Sequence, residues 1–225
     1  MREFIINKEP YEEGLRVYKK NKVQIEEGVT ILVGCNGAGK TTLLHEIKRQ
    51  LEEKEIPVYL YDNYLEGGNS AMDKHMFYGR IDAFVNMAFK SEGEKISANF
   101  GYVAGEIGNF VRNTESDSNE RWILFDAIGS GLSIDGIDDI KNFFRFAIEQ
   151  ETNKKLYIIV STNEYEFCRE GIVERKCLNV QTGEYVKLKS YDIFRDVILR
   201  TAKQKEKWLD KYNKLLVSER RRGKL

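Results

Sequence analysis

An α/β fold around a mainly parallel sheet is predicted by three observations. First, four short runs rich in apolar residues, Val29 to Val33, Val58 to Tyr61, Trp122 to Phe125 and Leu156 to Val160, read as strands buried on both faces. Second, segments of helical periodicity separate them: Leu43 to Lys54, Gly79 to Phe89, Ile96 to Val111 and Ile137 to Glu149. Third, strand and helix alternate along the chain, the order that yields parallel strands joined by right-handed crossovers.

Taken in order, the chain begins with Phe4-Ile5-Ile6, Leu15 to Tyr18 and Val23 to Ile25, three short runs expected to form a small antiparallel sheet. The buried strand Val29 to Val33 feeds a glycine-rich loop, and Leu43, Leu44, Ile47 and Leu51 then mark the apolar face of a helix. Asn63 to Met76, with Glu66-Gly67-Gly68-Asn69-Ser70 inside it, reads as a loop. His75 is expected there at the surface, and His45 as decoration on the preceding helix. Asn113 to Glu120 is polar throughout and reads as an exposed connection. Beyond Val160, Ile172 to Val180 and Tyr185 to Leu188 form a hairpin signal through Thr182-Gly183.

A helix from Tyr191 to Ser218 closes the chain. Phe194, Ile198, Thr201, Trp208, Tyr212 and Leu215 form its apolar stripe. Lys203, Lys205, Lys207, Lys211 and Lys214, with Arg220 to Arg222, make the rest basic. The stripe is expected to pack on its own domain. The basic side reads as a solvated face, with contact to nucleic-acid phosphates as the alternative. The division is thus residues 1–190 as one domain and 191–225 as a basic helical appendage.

Composition narrows the class without naming it. The 225 residues are 41% apolar and 32% charged, with 36 basic and 36 acidic side chains. That is ordinary for a globular chain and gives no electrostatic pointer to a nucleic-acid or membrane partner. Cys35, Cys168 and Cys177 lack metal-ligand spacing and suit a reducing compartment. The first residues lack the apolar run of a signal peptide, and no stretch approaches the ~20 apolar residues of a membrane span. A cytoplasmic protein without membrane insertion is the expectation.

The strongest local signal is Gly34-Cys35-Asn36-Gly37-Ala38-Gly39-Lys40-Thr41, which fits G-x-x-x-x-G-K-[ST] between a buried strand and an amphipathic helix. Glycines let backbone N–H groups converge on an anion, and the helix N-terminus adds its positive end. Lys40 supplies a point charge for β- and γ-phosphates, and the Thr41 hydroxyl can ligate Mg²⁺. Downstream, Trp122-Ile123-Leu124-Phe125-Asp126 ends a buried strand on a carboxylate, a position from which Asp126 can hold the same ion.

The wording Asn36-Gly37-Ala38-Gly39-Lys40-Thr41-Thr42-Leu43-Leu44 resembles ABC-type ATPases, which include transporter engines and the SMC- and RecF-like proteins. The resemblance implies a P-loop NTPase of α/β class: a three-layer domain with a mainly parallel core sheet, an N-terminal antiparallel sheet and a short helical lobe. It implies ATP and Mg²⁺ as ligands, with Gly34, Asn36 to Thr42, Asp126 and Asn163 around the phosphates. Gly129 to Asp135 looks like the loop that crosses the interface between two subunits. Ser91-Glu92-Gly93-Glu94 resembles the family's signature loop, so Ser91, Gly93 and Glu94 would serve the nucleotide of a partner subunit. Two ATP molecules would then hold two copies together.

Two departures bear on turnover. Ala127 stands where the family places a glutamate that positions the attacking water, and Asn163 stands where it places a histidine. Asparagine can hydrogen-bond a phosphate but does not titrate near neutrality. Three explanations are open: slow hydrolysis, supply of the missing role by Glu164, Asp135 or Asp62-Asn63, or an engineered alanine that traps ATP. Only about fifty residues separate Lys40 from Ser91, which leaves no room for a long coiled-coil arm. The reading reached is an ATP-dependent homodimer, ATP hydrolase in type, that changes its hold on a nucleic-acid or protein partner in DNA metabolism or defence. The alternatives are a transporter's nucleotide-binding subunit and a pseudo-ATPase with ATP as structural ligand.

Overall fold

The computed structural model describes residues 1–6, 18–113, 115–150, 153–171, 174–199, 210, 213, 214 and 217. Its strands are β1 (Arg2–Ile5), β2 (Lys22–Ile25), β3 (Gly28–Val33), β4 (Val58–Asp62), β5 (Glu120–Asp126), β6 (Lys155–Ser161), β7 (Arg175–Asn179) and β8 (Glu184–Val186). Between and after them lie α1 (Lys40–Glu52), α2 (Asn63–Glu66), α3 (Gly68–Phe77), α4 (Ile81–Ala88), α5 (Glu92–Asn113), α6 (Ile134–Gln150), α7 (Tyr165–Cys168) and α8 (Tyr191–Ile198).

Six strands form one sheet in the order β4-β5-β6-β3-β7-β8. All neighbours pair in parallel except β7 with β8. β1 and β2 form a separate antiparallel pair. The arrangement is a mixed α/β fold compatible with a P-loop nucleotide hydrolase.

The strands alternate between two apolar layers, as a sheet buried on both faces requires. On one side Leu32, Trp122, Leu124, Tyr157 and Ile159 meet Leu43, Leu44, Ile47 and Leu51 of α1 and Phe4, Val23 and Ile25 of the small sheet. On the other, Ile31, Val33, Ile123, Phe125 and Val160 meet Phe100 and Val103 of α5 and Ile137 and Phe144 of α6. Trp122 stacks on Tyr157 at 4.0 Å and takes the ring of Phe4 edge-on at 5.2 Å, which fastens β1 to the main sheet.

Several sequence expectations need correction. Asn63 to Met76 is helical: Asp62 Oδ1 accepts the Tyr64 N–H and caps α2, and the chain restarts as α3 after Gly67. His75 is buried, because α3 lies against α5 and its Nε2 is 2.9 Å from Asn99 Oδ1. The Asn99 amide nitrogen donates to the Glu66 carbonyl, so Oδ1 is the acceptor and His75 Nε2 carries the proton. His45 is exposed, as read.

The hairpin β7–β8 does form, and β7 also pairs in parallel with β3, so it extends the core sheet. α8 ends at Ile198 with Leu199 extended, which interrupts the helix read from Tyr191 to Ser218. Phe194 of α8 is buried against the ring of Tyr165. The stripe and basic positions from Thr201 to Trp208, Lys211, Tyr212, Leu215 and Arg220 to Arg222 lie outside the described residues, as do Leu15 to Val17. Among the described residues, no helix is long and apolar enough to cross a membrane.

Candidate phosphate-binding site

The carboxyl ends of β3, β6 and β5 stand side by side, and each carries a predicted residue. β3 runs into the loop before α1, β6 ends at Ser161 just before Asn163, and β5 ends at Asp126. A cavity of about 250 Å³ opens there, lined by Asn36 to Thr42, Asp126, Ala127, Asn163 and Glu164 among others. Ligands of open α/β sheets bind in this kind of crevice, beyond the carboxyl ends of the strands.

The loop's shape comes from its glycines. Gly37 and Gly39 hold φ of 77° and 89°, left-handed values that L side chains resist, and Gly39 leads directly into α1. The Gly39 carbonyl accepts from Tyr18 Oη at 2.6 Å, so a buried tyrosine from the N-terminal segment props the loop. No side chain caps α1, and its first residues Lys40, Thr41 and Thr42 line the cavity, so N–H groups of that turn are left for a ligand.

Lys40 Nζ donates to the Gly34 carbonyl at 2.8 Å and to Asn163 Oδ1 at 2.9 Å. Asn163 Nδ2 in turn donates to Asn36 Oδ1 at 2.7 Å. The lysine is thereby held across the cavity mouth by neutral acceptors. Burial pushes its pKa below the ordinary value, and the charges of Cys35 and Asp126 offset part of that shift.

Asp126 is almost fully buried, and its Oδ1 has no hydrogen-bond partner. A buried carboxylate oxygen left without a donor is costly on its own, and a cation or a cation-bound water satisfies it. Asp126, with the exposed Thr41 hydroxyl in the same cavity, therefore fits Mg²⁺.

The predicted residues separate into three groups. Asn36, Gly37, Ala38, Gly39, Lys40, Thr41, Thr42, Asp126 and Asn163 meet at the cavity. Gly34 lies behind it and contributes its carbonyl to Lys40. Ser91, Gly93 and Glu94 are not among the lining residues. Ser91 instead caps α5: its hydroxyl and its N–H both donate to Glu94 Oε2, at 2.7 and 2.8 Å. These bonds hold the Glu94 carboxyl below its ordinary pKa. Gly93 sits against the 129–133 loop, where a β-carbon would stand 2.4 Å from the Gly131 carbonyl oxygen.

Of the three candidates for the role absent at Ala127, Glu164 alone lines the cavity. Asp62 caps α2, Asn63 is buried under Tyr61, and Asp135 lies in the first turn of α6. Ala127 itself adopts φ 53°. Sequence reasoning missed Tyr64, Ile128, Ser161 and Thr162, which also line the site, as does Ser130 from the 129–135 loop. Tyr64 had a signal, an aromatic just past a strand's carboxyl end; Ser161 ends β6, and Ile128 and Thr162 stand just past strand ends with no local pattern to mark them.

Lysine, aspartate and glycine loop at neighbouring strand ends are an arrangement compatible with a P-loop nucleotide site. No protein-family profile matches the chain. Over 115 residues, 51% of this chain, the sequence is 26% identical to a DNA double-strand break repair Rad50 ATPase of Methanosarcina mazei. The matched stretch spans 9% of that protein's length. This supports a coarse relationship to ABC- and SMC-type ATPases.

Proposed function

We propose that the chain binds Mg²⁺-ATP in this cavity and that two bound nucleotides hold two copies together, changing their grip on a partner. Residues 1–190 would carry the site and residues 191–225 a basic helical appendage. The observation that carries the reading is the convergence of Lys40 and the unpartnered Oδ1 of buried Asp126 on one cavity.

In this reading the loop N–H groups and Lys40 hold the β- and γ-phosphates, and Asn163 hands Lys40 to them by giving up its hydrogen bond. Thr41 and Asp126 hold Mg²⁺, which when bound neutralises phosphate charge. Ser91, Gly93 and Glu94 serve the nucleotide of the second copy, and the Ser91 hydroxyl must leave Glu94 to do so. The name of the similar protein makes damaged DNA the first partner to try.

The test is solution mass by light scattering with Mg²⁺-ATP against Mg²⁺-ADP. A mass gain with ATP alone, lost in Ser91→Arg and in Lys40→Ala, supports the reading. An unchanged mass with ATP demonstrably bound removes the dimer from it.

A second reading, ATP as a structural or sensory ligand, is favoured by Ala127, which can neither accept a proton nor orient water. Phosphate release above a Lys40→Ala control would sink it.

A further inference from the structure

Apolar surface is unevenly distributed on this molecule. Met76, Phe77 and Tyr78 at the end of α3, with Ile81, Val85 and Phe89 along α4, are 54% to 96% exposed. Ile81, Val85 and Phe89 are spaced i, i+4, i+8 and form one stripe, while Ala83 and Met87 on the opposite side of α4 are buried. The helix is thus apolar on its inner face and again on its outer one. Side chains of this size carry roughly 150–250 Å² each when aromatic. The six together leave on the order of 800 Å² in water, the amount one partner contributes to a standard protein interface.

A second stripe runs beside the first: Asp82, Asn86 and Lys90, all exposed. Neither Asp82 nor Lys90 has an ion pair among the described residues, although Lys90 lies near enough to Glu94 to help hold that carboxyl below its ordinary pKa. About a twofold axis near Val85 and Asn86, an antiparallel copy of α4 meets itself in register. Val85 packs on Val85, Ile81 on Phe89, and the Asp82 carboxylate faces the Lys90 ammonium twice. A surface that complements itself in shape class and charge is what an isologous dimer needs.

We infer that the outer face of α4 and the end of α3 is a self-association surface, occupied by a second copy of this chain. It is separate from the phosphate cavity and does not require nucleotide.

The experiment is sedimentation equilibrium of the full chain without nucleotide, on wild type, Asp82→Lys, Lys90→Asp and the double variant Asp82→Lys/Lys90→Asp. Both changed positions are exposed, but each reversal opposes the α4 dipole and Lys90 stands beside the Ser91–Glu94 cap, so circular dichroism of every variant establishes its fold before association is read. Wild type is expected to dimerise. Each single reversal sets like charges opposite each other and weakens the dimer about tenfold or more. The double variant recovers it, and the two single variants mixed together form a heterodimer. The nucleotide-site variant Lys40→Ala leaves this association unchanged, which separates its failure from failure of the ATP-dependent dimer. A wild type that stays monomeric at about 100 µM, far above the range of stable interfaces, overturns the inference. So does a dimer indifferent to the single reversals, or a double variant no better than the singles.

Discussion

Two glycines of α5 should respond to the same substitution with opposite sign. At Gly93, an alanine β-carbon would lie 2.4 Å from the Gly131 carbonyl oxygen, a backbone atom that cannot swing aside. At Gly101 the same carbon meets nothing within 4 Å. Alanine is favoured over glycine inside a helix by about 0.5–1 kcal/mol. Gly101→Ala should therefore raise the melting temperature by roughly 1–4 °C for a chain of this size. Gly93→Ala gains part of the same propensity but must push α5 away from the 129–133 loop, at about 1–3 kcal/mol for an overpacked site. The net is a loss of about 1–2 kcal/mol, or roughly 2–8 °C. Differential scanning fluorimetry of the nucleotide-free protein reads both. Gly93→Ala melting at or above wild type would show that the helix does not approach Gly131 so closely, and the placement of the signature-like turn would fall with it.

Three further predictions concern charge and burial. Burial lowers the Lys40 pKa in the free protein, whereas polyphosphate favours the ammonium. ATP binding should therefore take up a proton in the alkaline window between that lowered pKa and the ordinary lysine value. Affinity should fall as pH rises through that window. Calorimetry in two buffers of different ionisation enthalpy measures the uptake, and proton release would contradict it. Asp126→Asn removes a buried carboxylate with an unpartnered oxygen. The free variant should be at least as stable as wild type, while the extra thermal shift that Mg²⁺ adds to ATP falls by more than half; an undiminished shift refutes the metal role. Asn99→Leu strands the His75 N–H and the Glu66 carbonyl together, so it should cost about 2–4 kcal/mol. Urea unfolding measures that loss, and a change within about 0.5 kcal/mol would mean the network is not formed.

The parts legible in the sequence share one property: a local pattern sufficed. Val29 to Val33, Trp122 to Phe125 and Leu156 to Val160 are continuous apolar runs, and all three are central parallel strands. Lys40 and Asp126 were marked by motif and strand end. The first part of the helical lobe, α2 and α3, was illegible for a physical reason. Asn63 to Met76 has a weakly apolar, glycine-broken sequence, and α3 is held by packing on α5, where His75 meets Asn99. Burial of His75 depends on Asn99, twenty-four residues away, which no local pattern reports. Order within the sheet was equally hidden: nothing local says that β6 inserts between β3 and β5, yet that insertion sets Asn163 beside Lys40.

Within the proposed reading, holding phosphate and turning it over are built with different completeness. The loop, Lys40 and Asp126 are fixed by the core on both faces of the sheet, so the geometry for charge neutralisation exists before any ligand arrives. At the next position the chain offers Ala127 in a left-handed conformation, and the remaining carboxylate is Glu164, exposed and flanking a separate strand end. Glu164 is placed by α7 and by contact with Gly129, not by the strand that fixes Asp126. A water-positioning group held so loosely contributes less of the 10²–10⁴-fold that a well-placed general base provides. In that reading, nucleotide binding between two copies changes the partner's grip, and slow hydrolysis sets how long the state lasts.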